Sequence, residues 1–106
     1  MRFRIGPGRD DRTLVLEGEL DVSTAGRLAA AVELCSRPGG DVVLDCRGLT
    51  FIDGAGVREL ASVAEGLPAG TTLILEGARG VVLRVLEMLR VDEHARLEVR
   101  PPNRPS

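Results

Sequence analysis

Two aspartates stand where an apolar segment gives way to a helix-forming one. Asp21 is followed by Ser23 and Thr24, and Asp53 by Gly54-Ala55-Gly56. A pair of carboxylates near one helix start can share acid and base work when their surroundings drive their pKa values apart. Such a site also needs a nucleophile or a metal, and the chain supplies neither in a usable arrangement. Cys35 and Cys46 are the only cysteines and His94 is the only histidine, which matches no metal-ligand spacing and no triad. The simpler reading is that Asp21 ends a strand and Asp53 caps a helix by accepting from its free first-turn N–H groups. His94, in Asp92-Glu93-His94, reads as a solvated loop residue, and the two thiols as small buried hydrophobes.

The run Gly54-Ala55-Gly56 leaves the first turn after Asp53 nearly bare. A bare helix start carries unpaired donors and the positive end of the helix dipole, which suits an anion or the close approach of a partner backbone. A plain strand-to-helix turn that needs small residues to pack explains the same pattern. The glycines do not make a dinucleotide fingerprint, because Glu59 stands where the third glycine belongs. Gly6-Pro7-Gly8 is not a phosphate loop either, since no Gly-Lys-Ser/Thr and no helix follow it.

The elements that must carry these residues alternate. Residues 2–5 and 13–17 read as a hairpin of two strands joined by the turn Gly6-Pro7-Gly8-Arg9-Asp10-Asp11. A helix opens near Ser23 or Thr24, with Ala25, Leu28, Ala29 and Val32 on one face and Cys35 extending it; Arg37-Pro38-Gly39-Gly40 ends it. Val42-Val43-Leu44 is a strand, bounded by Asp41 and by Asp45 with Gly48, and a short apolar connection leads to Asp53. The next helix buries Val57, Leu60, Ala61 and Ala64 and turns Arg58, Glu59, Ser62 and Glu65 outward. Gly66 is expected as its left-handed cap and Pro68 as its stop. A strand at 71–75, a third helix burying Val82, Val85, Leu86 and Leu89, and a short strand at 97–99 follow. Val81, Leu83 and Met88 widen the apolar face of that helix, for deeper burial or for contact. This order predicts an α/β fold: a small, mainly parallel sheet with an antiparallel N-terminal edge strand and about three helices, packed mostly on one face.

At 106 residues the chain is expected to be one domain over 1–100, with 101–106 a flexible, Pro-rich tail. Net charge is −2, and the 14 basic residues are all Arg, interspersed with acids rather than clustered. Phe3 and Phe51 are the only aromatics, which argues against a nucleic-acid binder. No apolar run is long enough to span a bilayer and no secretory leader is visible, so no membrane insertion is expected.

Two segments resemble the signature of the STAS domain, the fold of bacterial anti-sigma-factor antagonists. One is Leu44-Asp45-Cys46-Arg47-Gly48-Leu49-Thr50-Phe51-Ile52-Asp53-Gly54-Ala55-Gly56-Val57. The other is Leu16-Glu17-Gly18-Glu19-Leu20-Asp21-Val22-Ser23-Thr24-Ala25, upstream of it. The resemblance implies a cytoplasmic, non-enzymatic regulatory module without cofactor or metal, monomeric or a weak dimer. Its partner would be an anti-sigma factor with a histidine-kinase-like ATP-binding fold. The docking surface it implies joins Asp21, Ser23 and Thr24 to Asp53, Gly54, Ala55, Gly56 and Val57, with Arg27 and Arg58 as polar contacts beside it. In phosphoregulated relatives the second residue after the helix-capping Asp is a phosphoacceptor Ser or Thr. Here it is Ala55, with no hydroxyl to modify. The alternative that the resemblance leaves open is a module sensing a nucleotide, lipid or anion, or an accessory subunit of a stressosome-like or transport complex.

Overall fold

A computed structural model describes residues 3–35 and 40–102. Arg2 of the expected first strand, the helix-ending Arg37-Pro38-Gly39 and tail residues 103–106 lie outside the described residues. In chain order the elements are β1 (Phe3–Pro7), β2 (Thr13–Leu20), α1 (Ala25–Cys35), β3 (Val42–Ile52), α2 (Gly54–Glu65), β4 (Leu73–Glu76), α3 (Gly80–Met88), a 3-10 turn (Val91–Glu93) and β5 (Leu97–Arg100). The strands lie side by side in sequence order. β1 is antiparallel to β2, and every later pairing is parallel. This is the α/β sheet with an antiparallel N-terminal edge that the alternation of elements predicts.

Three parallel crossovers step across the sheet in one direction. Because such crossovers are right-handed, all three helices fall on one face. Their buried side chains meet in a single core: Leu28 and Val32 of α1, Leu60 and Ala64 of α2, and Val82 and Leu86 of α3, over Leu16, Leu44 and Leu75 of the sheet. The register row Leu44–Leu75–Val99 faces that core. The next row, Asp45–Glu76–Arg100, is one residue on along each strand and so faces the opposite side. That side carries ion pairs instead of helices: Arg4 with Glu17, Arg47 with Asp45, and Arg9 with Glu76.

The longest departure from the sequence reading is β3. The expected short connection after Leu44 is strand all the way to Ile52. Bulges accommodate it: Val15 pairs with Asp45 but Glu17 with Gly48, and Gly18 pairs with Leu49 but Glu19 with Phe51. Each bulge absorbs an extra residue of β3, which breaks strict alternation and hides the strand from a period-two search. β2 likewise runs on to Leu20, opposite Ile52. Asp45 does not terminate the strand; it is buried within it, accepting from Arg47 Nε at 3.0 Å and Arg47 Nη2 at 2.6 Å.

Smaller corrections follow from end geometry. Gly66 closes α2 with right-handed backbone (φ −83°), its N–H reaching Ser62 and Val63 carbonyls, so no left-handed cap forms. What holds this end is Arg96. Its guanidinium donates to the carbonyls of Leu67 (3.1 Å), Pro68 (2.7 Å) and Thr71 (2.8 and 3.0 Å), satisfying acceptors that the end of α2 and the following turn leave over. His94 is half-buried rather than solvated. Its Nε2 lies 3.1 Å from Glu65 Oε2, and its Nδ1 accepts from the Arg96 N–H. Leu89 falls just past the end of α3 and is exposed, as are Val81 and Met88, whereas Leu83 packs half-buried against the core, so only part of the widened apolar face of α3 serves burial within this chain.

Candidate functional site

The pairing of Leu20 with Ile52 sets the ends of β2 and β3 level, so the β2–α1 loop and the start of α2 emerge side by side at the carboxyl edge of the sheet. Ligands and partners of open parallel sheets meet the chain at this edge, where loops leave the strands. The two segments are in direct contact. A Cβ placed on Gly56 would lie 2.5 Å from the Leu20 carbonyl oxygen and 2.8 Å from Ile52 Cγ1. Gly56 is buried, and its missing side chain is what lets the first turn of α2 press against the end of β2.

Each aspartate is committed to its own turn. Asp21 Oδ1 accepts from the Ser23 hydroxyl at 2.7 Å and the Ser23 N–H at 2.9 Å, and these bonds hold its carboxyl below the usual carboxylate range. Thr24 is buried. Its Oγ1 accepts from the Asp21 N–H at 3.0 Å and lies 3.2 Å from the Glu19 and Asp21 carbonyls. Asp53 is the N-cap of α2, its Oδ1 accepting from the Gly56 N–H at 2.9 Å. The expected bare helix start therefore already holds a carboxylate of its own. Both aspartates do turn-forming work, as the simpler reading of the sequence has it.

What remains for contact is the outer rim. Gly54, Ala55 and Val57 are half-buried, and Ser23 and Arg58 are exposed. The Arg58 side chain folds back along the helix, its Nη1 3.5 Å from where a Gly54 Cβ would stand, and it has no polar partner among the described residues. Arg27 does not join this group. Its Nη1 donates to the Phe3 carbonyl at 2.8 Å and its guanidinium lies over the Phe3 ring at 5.5 Å, tying α1 to β1 on the far side of β2 from α2. The sequence reading missed Val22, which is 80% exposed in the β2–α1 loop, and Phe51, exposed near the end of β3. An apolar residue next to an Asp-x-Ser turn signals Val22. No sequence signal marks Phe51, whose outward face depends on the second bulge.

The cysteines are both free and buried. Cys46 Sγ donates to the Leu44 carbonyl at 3.4 Å, and burial pushes its thiol up to about 12, with the Asp45 carboxylate adding to the effect. Among the described residues no group of His, Cys, Asp and Glu could hold a metal ion, and no helix is long and apolar enough to cross a membrane.

Solved structures with a similar arrangement include an anti-sigma factor antagonist from Mycobacterium paratuberculosis. It is 22% identical, covers 92% of this chain and 84% of that one, and superposes with a TM-score of 0.62. The anti-sigma factor antagonist SpoIIAA in its unphosphorylated form is 20% identical over 99% of this chain and 90% of that one, with a TM-score of 0.46. No curated protein matches the chain. The family model described as "Mlab, STAS domain" matches residues 5–100, nearly the whole chain: this chain belongs to the STAS-domain family.

Proposed function

We propose that this STAS domain is a non-enzymatic regulatory module that docks, through the start of α2 and the β2–α1 loop, on an anti-sigma factor with a histidine-kinase-like ATP-binding fold. The observation that carries this reading is the packed tip. Gly56 against Leu20 fixes two loops as one rigid surface, with Val22, Ser23, Ala55 and the unpartnered Arg58 on its rim. A preformed surface with an apolar member and an uncommitted cation suits a protein partner, since little ordering is left to be done on binding. Its fold is that of the mycobacterial antagonist.

Ala55 has no hydroxyl, so a phosphate cannot switch this contact at that position. The module stays permanently unmodified there and is governed by the abundance of its partner or by other inputs. The reading of α2 as a small-anion site is disfavoured at this helix, because the Asp53 carboxylate already takes the Gly56 N–H and sets a negative charge at the helix start.

The test is titration of the full chain against anti-sigma kinases of the same genome. Saturable binding that Ala55→Glu weakens at least tenfold, with an unchanged circular dichroism spectrum, supports the proposal. Absence of binding to every such kinase by folded protein sinks it. Ala55→Ser should fold as the parent does, and phosphorylation of that serine by the bound kinase would show that only the hydroxyl was missing.

A further inference from the structure

A concavity lies where β4 and β5 end. Its volume is about 600 Å³, and it is lined by four arginines, Arg9, Arg47, Arg79 and Arg100, with Glu76 and the Pro101–Pro102 pair. Each guanidinium arrives from a different part of the fold: the β1–β2 turn, β3, the β4–α3 connection and the end of β5. Convergence of four cations from four separated segments is a tertiary arrangement, invisible in the evenly mixed charge of the sequence.

Three of the arginines are anchored by one edge. Arg9 Nη1 donates to Glu76 Oε1 at 3.0 Å, Arg47 uses Nε and Nη2 on Asp45, and Arg100 uses Nε on Glu98. These bonds orient the side chains and leave other N–H groups of each fork uncommitted. The Arg79 side chain holds no partner among the described residues. The lining itself holds four guanidinia and one carboxylate, Glu76, while Asp10, Asp45 and Glu98 pair with Arg9, Arg47 and Arg100 from outside it. Gly77 makes the assembly possible, because a Cβ there would strike Arg47 Cγ at 2.5 Å. The start of α3 adjoins the cavity through Arg79. Unlike α2 it has no side-chain cap, so its first-turn amides add donors rather than define the site.

The volume is that of a small-ligand site, and no aromatic ring lines it to stack a base. A planar guanidinium fork matches phosphate oxygens. We propose that this cavity binds a phosphate group, with Arg79 as its principal donor and Arg47 and Arg100 completing the clamp. The site goes beyond the docking reading of the α2 tip, and neither depends on the other.

The experiment follows amide shifts of the full chain during titration with inorganic phosphate and with pyrophosphate, at ionic strength held constant with chloride. Saturable shifts at Gly77, Gly80 and Val81, stronger for pyrophosphate, are expected. Arg79→Gln should weaken binding at least fivefold; that side chain is exposed and holds nothing in place, so folding is unaffected. Arg90→Gln, past the other end of α3, should bind as the parent does. Flotation with phosphatidylglycerol against phosphatidylcholine vesicles separates the sources. Arg79-dependent binding to the former alone assigns a lipid headgroup, and saturation by free phosphate without vesicle binding assigns a soluble ligand. Shifts that chloride reproduces, or affinities that Arg79→Gln leaves unchanged in both arms, overturn the proposal.

Discussion

The α-carbon of Gly56 and the carbonyl oxygen of Leu20 are so closely apposed that even a methyl group between them, 2.5 Å from that oxygen, has no room. Through this one contact the start of α2 is locked to the end of β2. Gly56→Ala therefore forces two backbones apart. Helix propensity alone would favour alanine by about 1 kcal/mol. Overpacking against backbone costs about 1–3 kcal/mol and outweighs it. Urea unfolding should show a net loss of stability for Gly56→Ala, whereas Gly54→Ala, whose added methyl meets only the movable Arg58 side chain, should be neutral or slightly stabilised. Equal effects of the two substitutions would contradict the packing argument.

Arg96 binds three carbonyls of the turn between α2 and β4. Removing it leaves partly buried acceptors unpaired, at about 1–3 kcal/mol for such a group. Arg96→Met should lower the melting temperature by several degrees while retaining the stem of the side chain. Arg96→Lys should recover only a fraction, because a single ammonium cannot reproduce the fork.

Asp45 is buried on the ion-paired face, and the Arg47 guanidinium bonded to it holds its carboxyl below the usual carboxylate range. A carboxyl with a depressed folded-state pKa adds stability that is complete above the unfolded value, roughly 3.9, and lost as pH falls through the lower folded value. Stability measured by urea unfolding should therefore decline as the medium is acidified below about pH 4. In Asp45→Asn the neutral-pH value should be lower and the acid decline shallower. A parallel decline in both proteins would exclude this pair as a contributor.

Cys46, with its thiol pushed up to about 12 by burial, carries almost no thiolate at neutral pH. In native protein at pH 8, a thiol reagent should modify it only at the rate of global opening, so labelling should accelerate sharply in denaturant. Mass mapping of the alkylated peptide checks this, and prompt native labelling of Cys46 would mean that the core under β3 opens on its own.

The helix faces were legible because burial imposes a period that survives in residue types: Leu60 and Ala64, or Val82 and Leu86, repeat as a helix demands. The Asp53 cap was legible because it is local, settled within three residues of chain. β3 was cut short in the reading because its bulges are answers to β2, and register is a property of two strands rather than one. The placement of Arg27 was equally out of reach. Helical spacing puts it on an outer face, but nothing local says that the Phe3 carbonyl of an edge strand lies within its reach.

Amino-acid order alone determined the alternation of strands and helices and the two motif segments, since propensity, capping and periodicity act between near neighbours. Folding decided which of the motif residues face outward: Thr24 is consumed within its own turn and Gly56 in joining the two loops, while Val22 and Arg58 are left on the rim. It also decided that four scattered arginines share one cavity. Those outcomes depend on distances between segments far apart in the chain, which sheet register and crossover handedness set.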